Sequence, residues 1–439
     1  MFRATCCLLM SALGTTIAAA ADWPAWRGPT GQGLCSESDL PVTWSATENV
    51  RWKVALPDGG NSSPIVWGDR VFITQASQRS SWPPQRPENF PSGTSVGGPA
   101  VAERRSVMCF HRGDGKLLWQ RDTIYKEPES THATNPFCSA TPVTDGERVI
   151  ASHGSAGLVC YDMEGNELWK YDVGRIEQVW GNASSPILYG DLVIQWCSPG
   201  ERTFLLALDK RTGEKKWQHD EPGGDSGKDG KFLGSWSTPI VARVGDKDQL
   251  ILPVVPGKLK GFDPLTGKEL WWTAGAGNLI YMSPLYGEGL AVLNSTAYRI
   301  EGEGEIKKSR AWQGKGGARV GSGVIADGYL YLLADGGVPK CFDMKTGEDL
   351  WQEQLDKRPG TTAWGSMVHA GDKLYITDQR GTTIVLAASP KYQLLAQNEL
   401  KEHVNASPAI SNGDIFIRTW KHLWCIGQGK DESQALQED

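Results

Sequence analysis

The sequence predicts an all-β fold: an eight-bladed β-propeller of four-stranded antiparallel blades, with the last blade closed by an N-terminal strand. Three observations predict it. One phrase opens eight segments of the chain: Ser or Thr, usually Pro, an apolar run, and often Gly-Asp. A second phrase of aspartate, turn, glycine and tryptophan recurs five times. Finally, 19 tryptophans and 52 glycines in 439 residues suit many short strands joined by tight turns better than long helices.

The opening phrases begin at Ser62, Ser139, Ser184, Ser237, Ser283, Ser322, Ser366 and Ser407. Anchored on Pro64, Pro142, Pro186, Pro239, Pro284, Gly323, Met367 and Pro408, they recur at intervals of 39 to 53 residues, with one interval of 78. That is the period of a four-stranded blade. Each unit reads as two strands around Gly-Asp, a third ending near the aspartate, and a fourth carrying the tryptophan. DKRTGEKKW from Asp209, DPLTGKELW from Asp263 and DMKTGEDLW from Asp343 are full copies, and HRGDGKLLW from His111 and DMEGNELW from Asp162 are looser ones. Their glycine fits a left-handed turn position, and the tryptophan offers a large packing surface to the neighbouring blade. The expected docking tryptophans are Trp52, Trp119, Trp169, Trp217, Trp271 and Trp351. A small residue stands two before the aspartate, at Cys109, Cys160, Ala207, Gly261 and Cys341, and Cys425 holds the matching place in the last unit. The units from Ser283 and Ser366 have degenerate turns.

The last unit stops after three strands, near Ile426, and the strand around Trp52 is available to complete it. Such pairing removes exposed sheet edges. The expected organisation is a signal peptide over 1–20, an N-terminal extension over 21–48, the propeller over 49–428 and a polar tail over 429–439. The segment from Trp23 to Trp44 is expected to wrap the outside or one face of the ring. Insertions from Gln75 to Arg105 and from Gln218 to Gly234 interrupt the period.

Arg3, the apolar run from Leu8 to Ile17 and the small residues Ala18 to Ala20 read as a secretory signal. No later apolar run is long enough to span a bilayer. The net charge of −6 argues against a nucleic-acid partner. Past the signal, seven cysteines remain with no CxxC spacing, so a cysteine-built metal or haem site is not expected. The seven histidines form no HxH, HxxxH or HExxH pair, and no serine lies in a G-x-S-x-G context.

The pattern A-x-D-x-x-T-G-x-x-x-W, complete from Ala207 to Trp217 and nearly so from Gly261 to Trp271 and from Cys341 to Trp351, resembles the docking motif of pyrroloquinoline-quinone-type (PQQ-like) eight-bladed propellers. ADWPAWRGPTGQG ahead of such repeats is similar to the exported PQQ-like repeat proteins of planctomycetes. The resemblance covers nearly all of the chain beyond the signal. It implies two different occupations, since one fold serves both. Quinoprotein dehydrogenases hold the quinone and a calcium ion, whereas the outer-membrane barrel-assembly scaffold binds proteins without a cofactor. The adjacent cysteines that typically cap the quinone have no counterpart here beyond Cys6-Cys7 in the signal, and no calcium-ligand set can be placed. The lipid anchor of the scaffold has no counterpart either.

The expectation is therefore an exported, periplasmic or secreted, monomeric binding or protein-interaction scaffold of the cell envelope, free of cofactor and metal. Its partner would be an envelope protein, a peptide or a glycan. A PQQ-dependent oxidoreductase using calcium is the alternative, and a polysaccharide-active hydrolase or lyase is a third reading. No catalytic residue is assigned. Candidate ligand-binding residues are those the interblade connections bring to one mouth: Asn61, Arg175, Trp180, Asn182, Trp236, Arg319, Trp364 and Asn405. A structural role competes at each position, with the asparagines capping turns and the tryptophans packing between blades.

Overall fold

The computed structural model describes residues 22–77, 104–132, 134–225, 232–318, 320–353 and 362–428. Eight antiparallel sheets follow one another in the order in which the sequence writes them. Blades 1 to 7 begin with strands at Ile65–Trp67, Val143–Thr144, Ile187–Tyr189, Ile240–Val244, Leu285–Gly287, Val324–Ala326 and Val368–Ala370. Blade 8 takes Ala409–Ser411, Asp414–Arg418 and His422–Ile426 from the C-terminal side and Val50–Ala55 as its fourth strand. The ring closes as expected, with Trp52 opposite Cys425.

The recurring turn is explained by what lies on top of it. In the turn from Asp209, the carboxylate accepts from the backbone N–H groups of Arg211 and Thr212, at 3.0 Å each. Gly213 lies at φ +71°, and a Cβ there would stand 2.7 Å from the Trp169 ring of the preceding blade. The same pairing joins Trp52 to Gly115, Trp119 to Gly165, Trp217 to Gly267 and Trp312 to Gly347. Most of these indoles also donate to the turn beneath them, Trp52 to Arg112 O at 2.7 Å and Trp119 to Met163 O at 2.9 Å. Glycine and tryptophan thus recur together because each of these five indoles lies on a turn of the next blade that has no room for a side chain.

Two docking positions differ from the expected pattern. Trp312, in a unit whose turn looks degenerate, docks fully and donates to Met344 O at 2.7 Å. Trp271 instead turns onto its own blade: it lies against Gly261, its cross-strand partner, and donates to Gln249 Oε1 at 2.6 Å. The blade 5 turn reaches this strand through its backbone instead, Gly304 and Glu305 pairing in parallel with Trp271 and Trp272. The small residue two before each aspartate is the residue opposite the tryptophan, as in Cys109–Trp119, Cys160–Trp169, Ala207–Trp217 and Cys341–Trp351. These buried thiols are close-packed spacers, and all seven cysteines of the described residues are unpaired.

The double constraint on the turn glycine predicts a measurable difference. Gly115 lies at φ +72° with a Cβ position 2.6 Å from Trp52, whereas Gly68, at φ +55°, has open space around its own. Gly68→Ala should cost only the backbone term, about 1 kcal/mol. Gly115→Ala adds the displacement of a buried indole, roughly 1–3 kcal/mol more. Urea denaturation of the two variants checks it, and equal losses would mean that the indole contact is not limiting.

Inside the ring, the Ser or Thr before each anchor forms a closed belt. The backbone N–H of Ser63 donates to Thr141 Oγ1, Thr141 to Ser185, Ser185 to Thr238, and Thr238 to Ser283, at 2.9–3.0 Å. Ser283 continues to Ser322, Ser322 to Ser366, Ser366 to Ser407, and Ser407 back to Ser63, at 2.8–3.0 Å. Each first strand is thereby tied to the next around the axis, and the first strands are the innermost.

Of the two courses expected for the N-terminal segment, the outside of the ring or one face of it, the segment does not take the outside. Trp23 pairs with Val66 of blade 1, Gln32 Oε1 accepts from Tyr286 N of blade 5 at 2.7 Å, and Leu34–Cys35 pairs in parallel with His369 and Ala370 of blade 7. Blades 1 and 5 face each other across an eight-membered ring, so the segment crosses its centre. Arg27 is fully buried on this path and donates through Nη2 to Gln32 O at 2.8 Å and to Gly323 O. Burial pulls its pKa down to about 9. Trp23, Leu40 and Trp44 then join the largest core cluster, which lies under blades 7, 8 and 1. No helix among the described residues is long and apolar enough to cross a membrane.

Candidate functional site: the mouth of the ring

The connections leading into each belt residue converge at one end of the ring, where most of the sequence-predicted site residues meet. Their amides are joined in a chain. Gln379 Nε2 donates to Asn405 Oδ1 at 2.8 Å, Asn405 Nδ2 to Asn61 Oδ1 at 3.0 Å, and Asn61 Nδ2 to Ser139 Oγ at 3.1 Å. Ser139 Oγ donates to Asn135 Oδ1, and Asn135 Nδ2 donates to the carbonyls of Trp180 at 2.5 Å and Asn182 at 3.3 Å. Trp236 Nε1 extends the chain to Gly181 O at 2.8 Å. This rim runs from blade 7 through blade 1 to blade 4. Asn61 and Asn405 spend both ends of their amides within it.

Beside the rim lies an aromatic group. Trp180 stacks on Phe232 with centroids 4.6 Å apart and planes 6° from parallel, and Trp236 stacks on Tyr281 at 5.0 Å. Trp180 meets Trp236 at 5.7 Å and Tyr281 at 6.4 Å, so four rings form one cluster. Trp236 is buried, while Trp180, Phe232 and Tyr281 keep part of their surface exposed. Arg175 is exposed and pairs with Glu177 at 2.9 Å, also donating to Pro128 O at 3.1 Å. Trp364 is half-buried at the entrance to blade 7. Arg319 lies outside the described residues.

Under the rim sits a buried ion pair that the sequence did not reveal. Arg105 Nη2 meets Glu129 Oε2 at 2.5 Å, both side chains being 1% exposed. Glu129 also accepts from Ser155 Oγ at 2.8 Å and Asn182 Nδ2 at 3.2 Å. The guanidinium lies over Phe137 at 4.4 Å and Tyr125 at 4.7 Å. Arg105 donates through Nη1 to the carbonyl of His153 at 2.5 Å. Burial, then the charges of Arg105 and Lys170, push His153 down to about 3.

His153 therefore resists protonation when folded but accepts a proton near pH 6.5 when unfolded. The unfolded state binds more protons in that window, so folding stability falls as pH drops from about 6.5 toward 3. His153→Leu should flatten this part of the profile by up to about 1.4 kcal/mol per pH unit. Parallel denaturant titrations of wild type and variant between pH 7 and 4 check it, and superimposable profiles would mean that His153 protonates freely.

Among the described residues, one group of ligand-type side chains is close enough to hold a metal: His219, Glu221 and Glu269 on the outer strands of blades 3 and 4. Lys260 Nζ bonds both Glu221 oxygens at 2.8 and 2.9 Å and Glu269 at 2.8 Å, so an ammonium already stands among them. At the mouth, the carboxylates of Glu129, Glu177 and Glu402 are engaged by Arg105, Arg175 and His422. The quinone's calcium takes six to eight oxygen ligands, and among the described residues the one group of three or more close His, Cys, Asp or Glu side chains is that outer-strand group.

Eight four-stranded blades around a tied inner belt, most of them docked through a tryptophan, define a propeller of the PQQ-like repeat class. The family model described as outer membrane protein assembly factor BamB matches residues 103–283 and 334–437, more than half of the chain, and the chain belongs to that family. Over 94 residues it is 26% identical to outer membrane protein assembly factor BamB of Salmonella typhimurium and 22% identical to that of Escherichia coli. Each match spans 21% of this chain and 22% of the relative, about a fifth of either length. BamB from Moraxella catarrhalis superposes with a TM-score of 0.57 at 14% identity, over 86% of this chain and 97% of that one. A europium-containing methanol dehydrogenase superposes at 0.63 and 13% identity, over 90% and 89%. The quinohemoprotein alcohol dehydrogenase from Comamonas testosteroni gives 0.64 at 12%, over 94% and 81%. At such identities the superpositions show a shared fold.

Proposed function

We propose that this chain is an exported binding scaffold of the cell envelope, working without a cofactor and recognising an envelope protein through the mouth of the ring. The observation that carries this reading is the four-ring aromatic cluster, part-exposed on a rigid frame, beside a rim in which Asn61 and Asn405 are bonded to each other. Aromatic side chains held at low entropic cost are the usual anchors of protein interfaces. The commitment of the mouth carboxylates to Arg105, Arg175 and His422 supports it over the quinone-dependent reading. Membership of a family described by an assembly factor supports a scaffold role as well.

The test is cross-linking in intact cells with a photoreactive group placed beside the cluster, comparing wild type with Trp180→Ala. Loss of an anchor of this kind costs about 2 kcal/mol or more of binding, roughly a thirtyfold loss. The wild-type protein should yield a defined adduct that the variant loses while its melting temperature stays close to wild type. An adduct unaffected by Trp180→Ala would move the surface elsewhere.

A further inference from the structure

Directly beneath the rim, between blades 2 and 3, lies a cavity with about 20 Å³ of space for water-sized groups. It is lined by His153, Asn182, Ser184, Gln195, Ser198 and Arg105, among others. Seven buried polar atoms of these six residues have no partner: Arg105 Nε, both ring nitrogens of His153, Asn182 Oδ1, Ser184 Oγ, Gln195 Oε1 and Ser198 Oγ. The amide orientations are fixed by their other ends. Gln195 Nε2 donates to Ser184 O at 3.1 Å and Trp196 O at 2.8 Å, while Asn182 Nδ2 donates to Glu129 Oε1 at 3.2 Å. Both carbonyl oxygens are therefore left without a donor.

The inventory of these atoms sets the chemistry of what they can hold. Arg105 Nε–H, the two serine hydroxyls and one imidazole N–H are donors; Asn182 Oδ1, Gln195 Oε1 and the other imidazole nitrogen are acceptors. An anion, which only accepts, leaves the two amide oxygens unmet. An ammonium, which only donates, opposes Arg105 Nε–H. The charge of Arg105 is already balanced by Glu129. Only groups that both donate and accept suit this mixed set, and the space admits one or two of roughly water size. Each polar atom left unmet would cost about 1–3 kcal/mol, so occupancy is strongly favoured.

We propose that this cavity is a binding site for neutral hydroxyl groups, supplied either by ordered water or by a hydroxyl of a glycan reaching down from the mouth. It is independent of whether the aromatic cluster holds a protein. The site belongs to the rim, because Asn182 contributes its carbonyl to the amide chain and its side chain to the cavity.

The side-chain amide protons of Asn182 and Gln195 report on it directly. In the deuterated, ¹⁵N-labelled full chain, these protons should show cross-relaxation to a long-lived bound water, and Ser198→Ala should weaken it severalfold. Adding glycerol or N-acetylglucosamine then separates the sources. Saturable loss of the water signal assigns the site to glycan hydroxyls, and an unchanged signal assigns it to water alone. Acetate and ammonium should leave both amides unshifted. Saturable shifts with either ion, or no bound-water signal together with no response to polyols, would overturn the proposal.

Discussion

A chain lacking residues 1–56 is expected to melt roughly 10 °C or more below one lacking residues 1–48, or to be recovered only as aggregate. The two truncations differ only by the closing strand and its immediate flanks. Val50–Ala55 pairs with His422–Ile426 along its length, and Leu56 N extends the pairing with a bond to Lys421 O at 2.8 Å. Trp52 is 8% exposed, packs against Phe416 at 6.0 Å and covers Gly115 of blade 1. Burying one such indole is worth about 3–5 kcal/mol, and its loss also opens a strand edge to intermolecular pairing. Comparison with the 1–48 truncation separates the closing strand from the segment that crosses the channel. Equal melting of the two would mean that the ring is held shut by its belt and not by this strand.

The second large effect is expected at Glu129. Glu129→Ala leaves the Arg105 guanidinium almost fully buried with no carboxylate, and breaking a buried pair in this way costs about 3–5 kcal/mol. The side chains bonded to the same carboxylate, Ser155 and Asn182, lose a partner too. Arg105→Met combined with Glu129→Leu removes both charges together and should recover much of the loss, because a close-packed apolar pair is often as stable as the buried ions. Denaturant unfolding of the single and double variants measures the coupling. A loss below about 1 kcal/mol in Glu129→Ala would mean that water reaches the pair and screens it.

The fold was legible because its recurring contacts are local in pattern. The Asp-turn-Gly-Trp phrase encodes an indole and the bare turn that receives it, and Cys109, Cys160 and Cys341 record where an indole lies opposite. Even so, two positions depart from the repeat. Trp312 docks although its own blade's turn is irregular, because docking depends on the next blade's glycine at 347. Trp271 folds back onto Gly261 and Gln249 of its own blade, while the blade 5 turn at Gly304 pairs with its backbone. The belt has a signal of its own in the sequence: a Ser or Thr stands before every one of the eight anchors. The site was less legible. Proximity of Asn61, Asn182 and Asn405 to the mouth follows from the repeat, but their mutual bonding depends on distances between different blades. Arg105 stands at the start of the strand Arg104–His111 and Glu129 in the connection between blades 1 and 2, with no motif around either, and Phe232 lies at the end of an insertion, so nothing in the local pattern marks their meeting with Asn182 or Trp180. The crossing of the channel by residues 22–40 rests on contacts with blades hundreds of residues away, such as Gln32 with Tyr286 and Glu37 with Gly413.

The central claim, a cofactor-free binding scaffold, is tested most directly by titrating the purified protein with pyrroloquinoline quinone in the presence of calcium and following quinone absorbance and alcohol-dependent dye reduction. The account predicts no saturable uptake of the quinone and no turnover, because Glu129, Glu177 and Glu402 at the mouth are each engaged by a cationic or imidazole side chain. Stoichiometric binding of the quinone with dye reduction would contradict it and make the chain an oxidoreductase.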